Sequence, residues 1–163
     1  MIRYRRLYES ENSGIKLYDT VRCAGYEWYV IKKGGNFVTL LAKSKEFGHS
    51  EFDDKSTDYE TSKIRKYLLS NVLPRLSVAN PITNKLFDVG VTDKVWLLSI
   101  DEAEKLPGFV REFDHWWWTR SGGGYDDEGA IVYAAAGVGF GAYNSRDENS
   151  VRPVMQVHIK DLD

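Results

Sequence analysis

The stretch Asp114-His115-Trp116-Trp117-Trp118-Thr119-Arg120-Ser121 says more about the fold than any other part of the chain. Three of the five tryptophans stand side by side in it. Side chains alternate across a pleated strand, so three consecutive indoles cannot share one face. Trp116 and Trp118 point one way and Trp117 the other. Either the strand is buried on both faces, or an indole serves as a contact surface. Trp117 and Trp118 are read as core. Trp116, next to His115, is read as the partly exposed ring.

The elements around this strand follow from local pattern. Downstream come a Gly122-Gly123-Gly124 loop, an Ile131-Val132-Tyr133 strand and a small-residue stretch to Ala142. A polar loop from Tyr143 to Ser150 and a final strand from Val151 to Ile159 complete the chain. Upstream, the apolar run Lys94-Val95-Trp96-Leu97-Leu98 reads as a buried strand. Ser99-Ile100-Asp101-Glu102 is a capping box that opens a short helix to about Lys105, closed by Pro107-Gly108. Tyr26 to Ile31, rich in aromatic and β-branched residues, predicts a strand. It turns at Lys33-Gly34-Gly35-Asn36 and returns over Phe37 to Ala42. Ser62 predicts the N-cap of a helix carrying Ile64, Leu68 and Val72 at helical spacing. Pro74 predicts its end near Asn71 or Val72. Residues 43–58, 79–90 and 120–150 read as long irregular segments, a class that is often functional. Strands, one longer and one short helix, then more strands predict an α+β fold with a mainly antiparallel sheet.

The composition narrows the function. At 163 residues the chain has the usual size of one domain. Residues 1–13 are polar and charged and read as a flexible leader, with the domain over 14–163. A 42% hydrophobic and 13% aromatic content suits a packed core. A net charge of −2 gives no global field for nucleic acid, and Arg3, Arg5 and Arg6 read as a solvated tail. The single cysteine, Cys23, allows no internal disulfide. With no apolar leader or membrane-length apolar run, the expected location is cytoplasmic, with no membrane partner.

Five motifs stand in order along the chain. They are Gly25-Tyr26-Glu27-Trp28, Ser62-Lys63-Ile64-Arg65, the segment Asp93 to Ala103, Trp117-Trp118-Thr119-Arg120-Ser121, and Val151-Arg152-Pro153. Together they resemble the DUF6273 family, bacterial and phage domains of unknown function, over residues 14–160. Thr119 stands where that pattern has Leu, and Gly122 where Pro commonly follows the Ser. The resemblance implies a C-type-lectin-like fold: a small twisted sheet, two helices, and long loops that present a ligand surface.

The candidate chemistry is mostly that of binding. Asp126-Asp127-Glu128 and Asn144, Asp147-Glu148-Asn149 could offer oxygens to calcium, but the short motifs of calcium-dependent sugar binding are absent. Cys23 reads as a small core residue. The three histidines are far apart in sequence, and neither Gly-rich stretch has the context of a phosphate loop. No enzyme activity, metal or cofactor is expected. Arg120 and Arg152 could each capture a carboxylate or phosphate, but they are read as structural ties at the sheet end. Tyr and Trp give large contact area at small entropic cost, and polar neighbours adapt around them. The expected ligand-binding residues are therefore Trp116, Tyr125, Asp126, Tyr143, Asn144, Arg146 and Asp147. The expected role is a non-catalytic module that recognises a protein or glycan through the 120–150 loops. The alternative is a phage or mobile-element protein that binds and inhibits a host defence protein inside the cell. No sign of oligomeric state is visible.

Overall fold

The computed structural model describes residues 14–125, 127–133 and 139–163. The architecture is mixed α+β with mostly antiparallel sheets. Strands β1 (Thr20–Cys23), β2 (Tyr26–Gly34) and β3 (Phe37–Ala42) form a meander. The last strand, β11 (Val154–His158), joins it to give a four-stranded sheet in the order β1-β2-β3-β11. The predicted hairpin is present, with Gly34 opposite Phe37 and Gly35 at φ 57° in the turn.

A second sheet is built from the middle of the chain. Its strands are β4 (His49–Ser50), β7 (Trp117–Gly122), β8 (Glu128–Val132), β9 (Phe140–Asn144) and β10 (Asn149–Ser150). Their order is β4-β10-β7-β8-β9. A two-stranded ribbon, β5 (Asn84–Leu86) with β6 (Val91–Asp93), lies within the remaining irregular chain. The link Val151-Arg152-Pro153 carries the chain from one main sheet to the other. Ser150 donates its backbone N–H to Trp116 O at 2.8 Å, and Pro153 O accepts from Ala42 at 3.0 Å.

Strand β7 is buried on both faces. Trp117 and Trp118, on opposite faces, have no exposed surface. Trp118 Nε1 donates to Ser50 O at 2.8 Å and its ring packs edge-on against Phe52. Trp117 Nε1 donates to Arg111 O at 3.1 Å. A buried indole therefore keeps its one polar atom satisfied on each face.

Local signals hold where capping chemistry decides. Ser62 Oγ accepts from the Arg65 N–H at the start of α1 (Lys63–Tyr67). The full Ser99–Glu102 capping box starts a short helix, Ile100–Glu104.

Several elements differ from expectation. The Ser62 helix does not stop before Pro74. It passes through a π-helical stretch, Leu68–Val72, and continues as α2 (Leu73–Leu76) with Pro74 in its first turn. Leu73 donates to Leu68 O, five residues back. This wider turn accommodates the missing proline N–H and the ring's bulk. The capped helix, α3 (Ile100–Glu104), is followed by another, because Pro107 N-caps α4 (Gly108–Arg111) instead of only ending a helix. Lys94–Leu98 is not a strand; it is a connection, buried from Val95 to Leu98, whose one bridge among the described residues joins Trp96 to Val154. The end of the small-residue stretch and the start of the polar loop form β9 instead, where Gly141 and Ala142 lie flat against Ile131 and Ala130. Residues 134–138 of that stretch lie outside the described residues.

The clamp on Trp118 is testable. A Cβ at Gly129 would sit 2.7 Å from Trp118 Cζ3, a buried ring with no room to retreat. Gly129→Ala is expected to cost about 1–3 kcal/mol, the usual range for overpacking. Urea unfolding should show a lowered midpoint with an unchanged slope. An unaltered midpoint would mean that β7 is not held from this side.

Candidate functional site

The expected binding residues come to lie at one end of the β8–β9 hairpin and beside it. Glu128 pairs with Asn144 across the hairpin. Asn144 shapes the turn that follows: its Oδ1 accepts from Arg146 N at 2.9 Å and its carbonyl from Asp147 N at 3.0 Å. Ser145 N donates to Asp127 O at 2.7 Å, so the Tyr125–Glu128 turn and the Asn144–Asp147 turn lie side by side. Tyr125 is 75% exposed, and Arg146 and Asp147 are exposed. Asn144 is thus a turn-shaping residue, on a strand end and not in a free loop. Asp126 lies outside the described residues.

Trp116 is half-buried and joins this end to a longer aromatic row. Its ring meets Tyr143 edge-on at 5.1 Å and Tyr133 edge-on at 5.3 Å. His115 stacks on Trp116 at 6.2 Å and on His49 at 5.1 Å. The rings therefore run from β4 through the entrance to β7 to β9, the width of the five-stranded sheet. His49 and Tyr133 were not legible as members, because only strand order places them beside Trp116. Gly141 makes room for Tyr133, whose hydroxyl lies where a Cβ would stand.

The two arginines differ sharply. Arg120 has a partner on each of its three nitrogens. Its Nε and Nη2 bond Asp88 at 3.0 Å, and its Nη1 bonds Glu102 at 2.7 Å and Leu97 O at 2.8 Å. Burial works against its charge, but the bonds to Asp88 and Glu102 outweigh this and raise its pKa. Glu102 is also the capping-box acid of α3, so Arg120 ties β7 to that helix, as its structural reading expects.

Arg152 is 1% exposed, and among the described residues only its Nε finds a partner, Ala42 O at 2.7 Å. Its Nη1 and Nη2 are buried without a partner. Among the described residues no carboxylate pairs with it. Burial pushes this guanidinium down to about 9. The rings of Phe113 at 4.6 Å, Trp117 at 4.8 Å and Tyr29 at 5.9 Å surround the charge. A buried donor left unsatisfied costs about 1–3 kcal/mol, and more when charged. Arg152 also lines a cavity of about 650 Å³ between β2, the chain after β3, and α4. No local pattern separates it from Arg120, since their difference lies in partners distant in sequence.

Catalytic arrangements are weak by comparison. Ser150 Oγ lies 3.5 Å from His49 Nε2, but Ser150 is buried and no described carboxylate orients the histidine. Among the described residues no three His, Cys, Asp or Glu side chains come together to hold a metal ion. No described helix is long and apolar enough to cross a membrane. Comparison with protein-family models, curated proteins and solved structures finds no match to this chain.

Cys23 is a core residue, with no exposed surface and its Sγ 3.5 Å from Asp161 O. Burial first, and the charges of Asp163 and Asp161 next, push its thiol up to about 12. At pH 8 a disulfide reagent such as DTNB should label Cys23 only after unfolding in urea. The folded value exceeds the ordinary 9.0. The stability held by the neutral thiol is therefore complete below pH 9 and lost as pH rises toward 12. Rapid labelling of the native chain would show that the site opens.

Proposed function

We propose that this protein is a non-catalytic binding domain of C-type-lectin-like, DUF6273 type, acting in the cytoplasm. Its ligand is a protein or glycan, taken on the aromatic row and the two turns beside it. One observation carries this reading: Trp116 is fixed edge-on against exposed Tyr143, and Tyr125, Arg146 and Asp147, on the two turns at the end of the same hairpin, are exposed. A ring already held by its neighbours loses little entropy on binding. Exposed polar side chains around it can adapt to a partner or to sugar hydroxyls. Its outer members, His49 and Tyr143, lie on strands of the five-stranded sheet, and Trp116 and Tyr133 stand next to the ends of β7 and β8, which gives the row a rigid backing.

Tyr143→Ala combined with Arg146→Ala tests the assignment, with a glycan array and affinity capture from host lysate as the two readouts. Truncating a central aromatic contact typically costs about 2 kcal/mol or more, roughly thirtyfold in Kd. Capture or array signal should fall by that factor while the circular dichroism and melting temperature hold. Undiminished binding by the folded double variant would place the site elsewhere.

A further inference from the structure

We propose that the cavity over Arg152 is a second binding site, built for a monocarboxylate that carries an apolar or aromatic body. The site lies on the four-stranded-sheet side of the molecule and does not depend on the aromatic row around Trp116.

Three observations lead there. First, Arg152 is a cation 1% exposed, and among the described residues Nη1 and Nη2 have no partner and no carboxylate pairs with it. The surrounding rings attract the charge, but they offer these N–H groups no strong acceptor. Two adjacent terminal nitrogens form the fork that a carboxylate meets bidentately. Nε is already held by Ala42 O, which fixes the fork in place.

Second, the charges lining the cavity balance. Lys43, Lys45 and Arg152 face Glu27, Glu46 and Glu112, three cations against three anions. A monoanion is compatible with that lining, whereas a phosphate dianion would meet the three glutamates without a surplus of cations. Lys43 is also engaged, since its Nζ donates to Thr20 Oγ1 and sits over the Tyr29 ring.

Third, part of the wall is aromatic, formed by Tyr29, Phe109 and Phe113. Tyr29 and Phe109 meet edge-on at 6.1 Å, and Phe109 is 55% exposed. Phe113 lies over the guanidinium on the irregular segment between α4 and β7. For a carboxylate to reach Nη1 and Nη2, the Phe113 ring turns aside. Phe109 and Tyr29 then flank the body of the ligand. A cavity of about 650 Å³ is of the size that small-molecule sites have.

The test uses the whole chain and three probes: phenylacetate, its neutral isostere phenylacetamide, and inorganic phosphate, each titrated by calorimetry. Saturable binding of phenylacetate is expected, with phenylacetamide at least about tenfold weaker and phosphate weaker than phenylacetate. Arg152→Lys keeps the charge but loses the fork, and should weaken phenylacetate about tenfold or more. Phe109→Ala removes a wall at an exposed position and should weaken it severalfold with the fold intact by circular dichroism. Equal binding of acid and amide overturns the proposal, as does tighter binding of phosphate. Unchanged affinity in folded Arg152→Lys overturns it too, and so does no saturable binding of phenylacetate at millimolar concentrations. Should Arg152→Lys fail to fold, the acid-to-amide ratio in the natural chain and the Phe109→Ala series still decide.

Discussion

The structure depends on one strand having no solvent face. Trp117 and Trp118 project from opposite sides of β7, and both are fully enclosed. Two large rings on opposite faces need packing partners from two directions. One side receives Phe52, Ser50 and Gly129. The other receives the carbonyl of Arg111 and the guanidinium of Arg152. Each indole N–H closes onto a backbone carbonyl, so burial leaves no orphan donor. The chain segments that supply these partners lie up to 68 residues away, so closing this core also fixes much of the topology.

The same strand separates two fates for arginine. Arg120, three positions on from Trp117, meets two carboxylates and a carbonyl, and ties the strand to α3. Arg152 lies on the link between the two main sheets and packs against Trp117. Among the described residues it has rings around it and one carbonyl, with no carboxylate. Both are buried cations beside one strand. A satisfied cation is a structural tie, whereas an unsatisfied one carries an uncompensated desolvation cost. The aromatic row gathered by strand order on the second sheet is a different kind of surface, defined by rigid rings with exposed polar neighbours. The two lie in separate parts of the molecule and need not share a ligand.

Much of the fold was readable wherever short-range chemistry decides. Ser62 and Ser99 cap helices because a side-chain oxygen meets a nearby backbone N–H, an interaction complete within a few residues. The hairpin around Gly35 follows from a turn that needs positive φ. Pro74 misled because its penalty assumes α-helical spacing, and a π turn relieves it. Gly141 and Ala142 gave no strand signal, since small residues have low strand preference; there Tyr133 fills the space above Gly141. Lys94–Leu98 looked like a strand because apolar runs report burial, and burial does not require a ladder.

For the candidate sites, Trp116, Tyr125, Tyr143 and Arg146 could be named from residue type, because exposed aromatics in polar surroundings have a local signature. His49 and Tyr133 could not, since only the order β4-β10-β7-β8-β9 places them in one row. By itself the sequence determined the class of the fold, the starts of the helices capped by Ser62 and Ser99, and the burial of Trp117 and Trp118, all consequences of alternation and of neighbours a few residues apart. Tertiary structure alone decided which arginine is paired. Asp88 and Glu102 reach Arg120 from 32 and 18 residues away, whereas Arg152 finds Ala42 O from 110 residues away and, among the described residues, no acid. Charge compensation inside a protein depends on distance in space, and a linear pattern does not carry it.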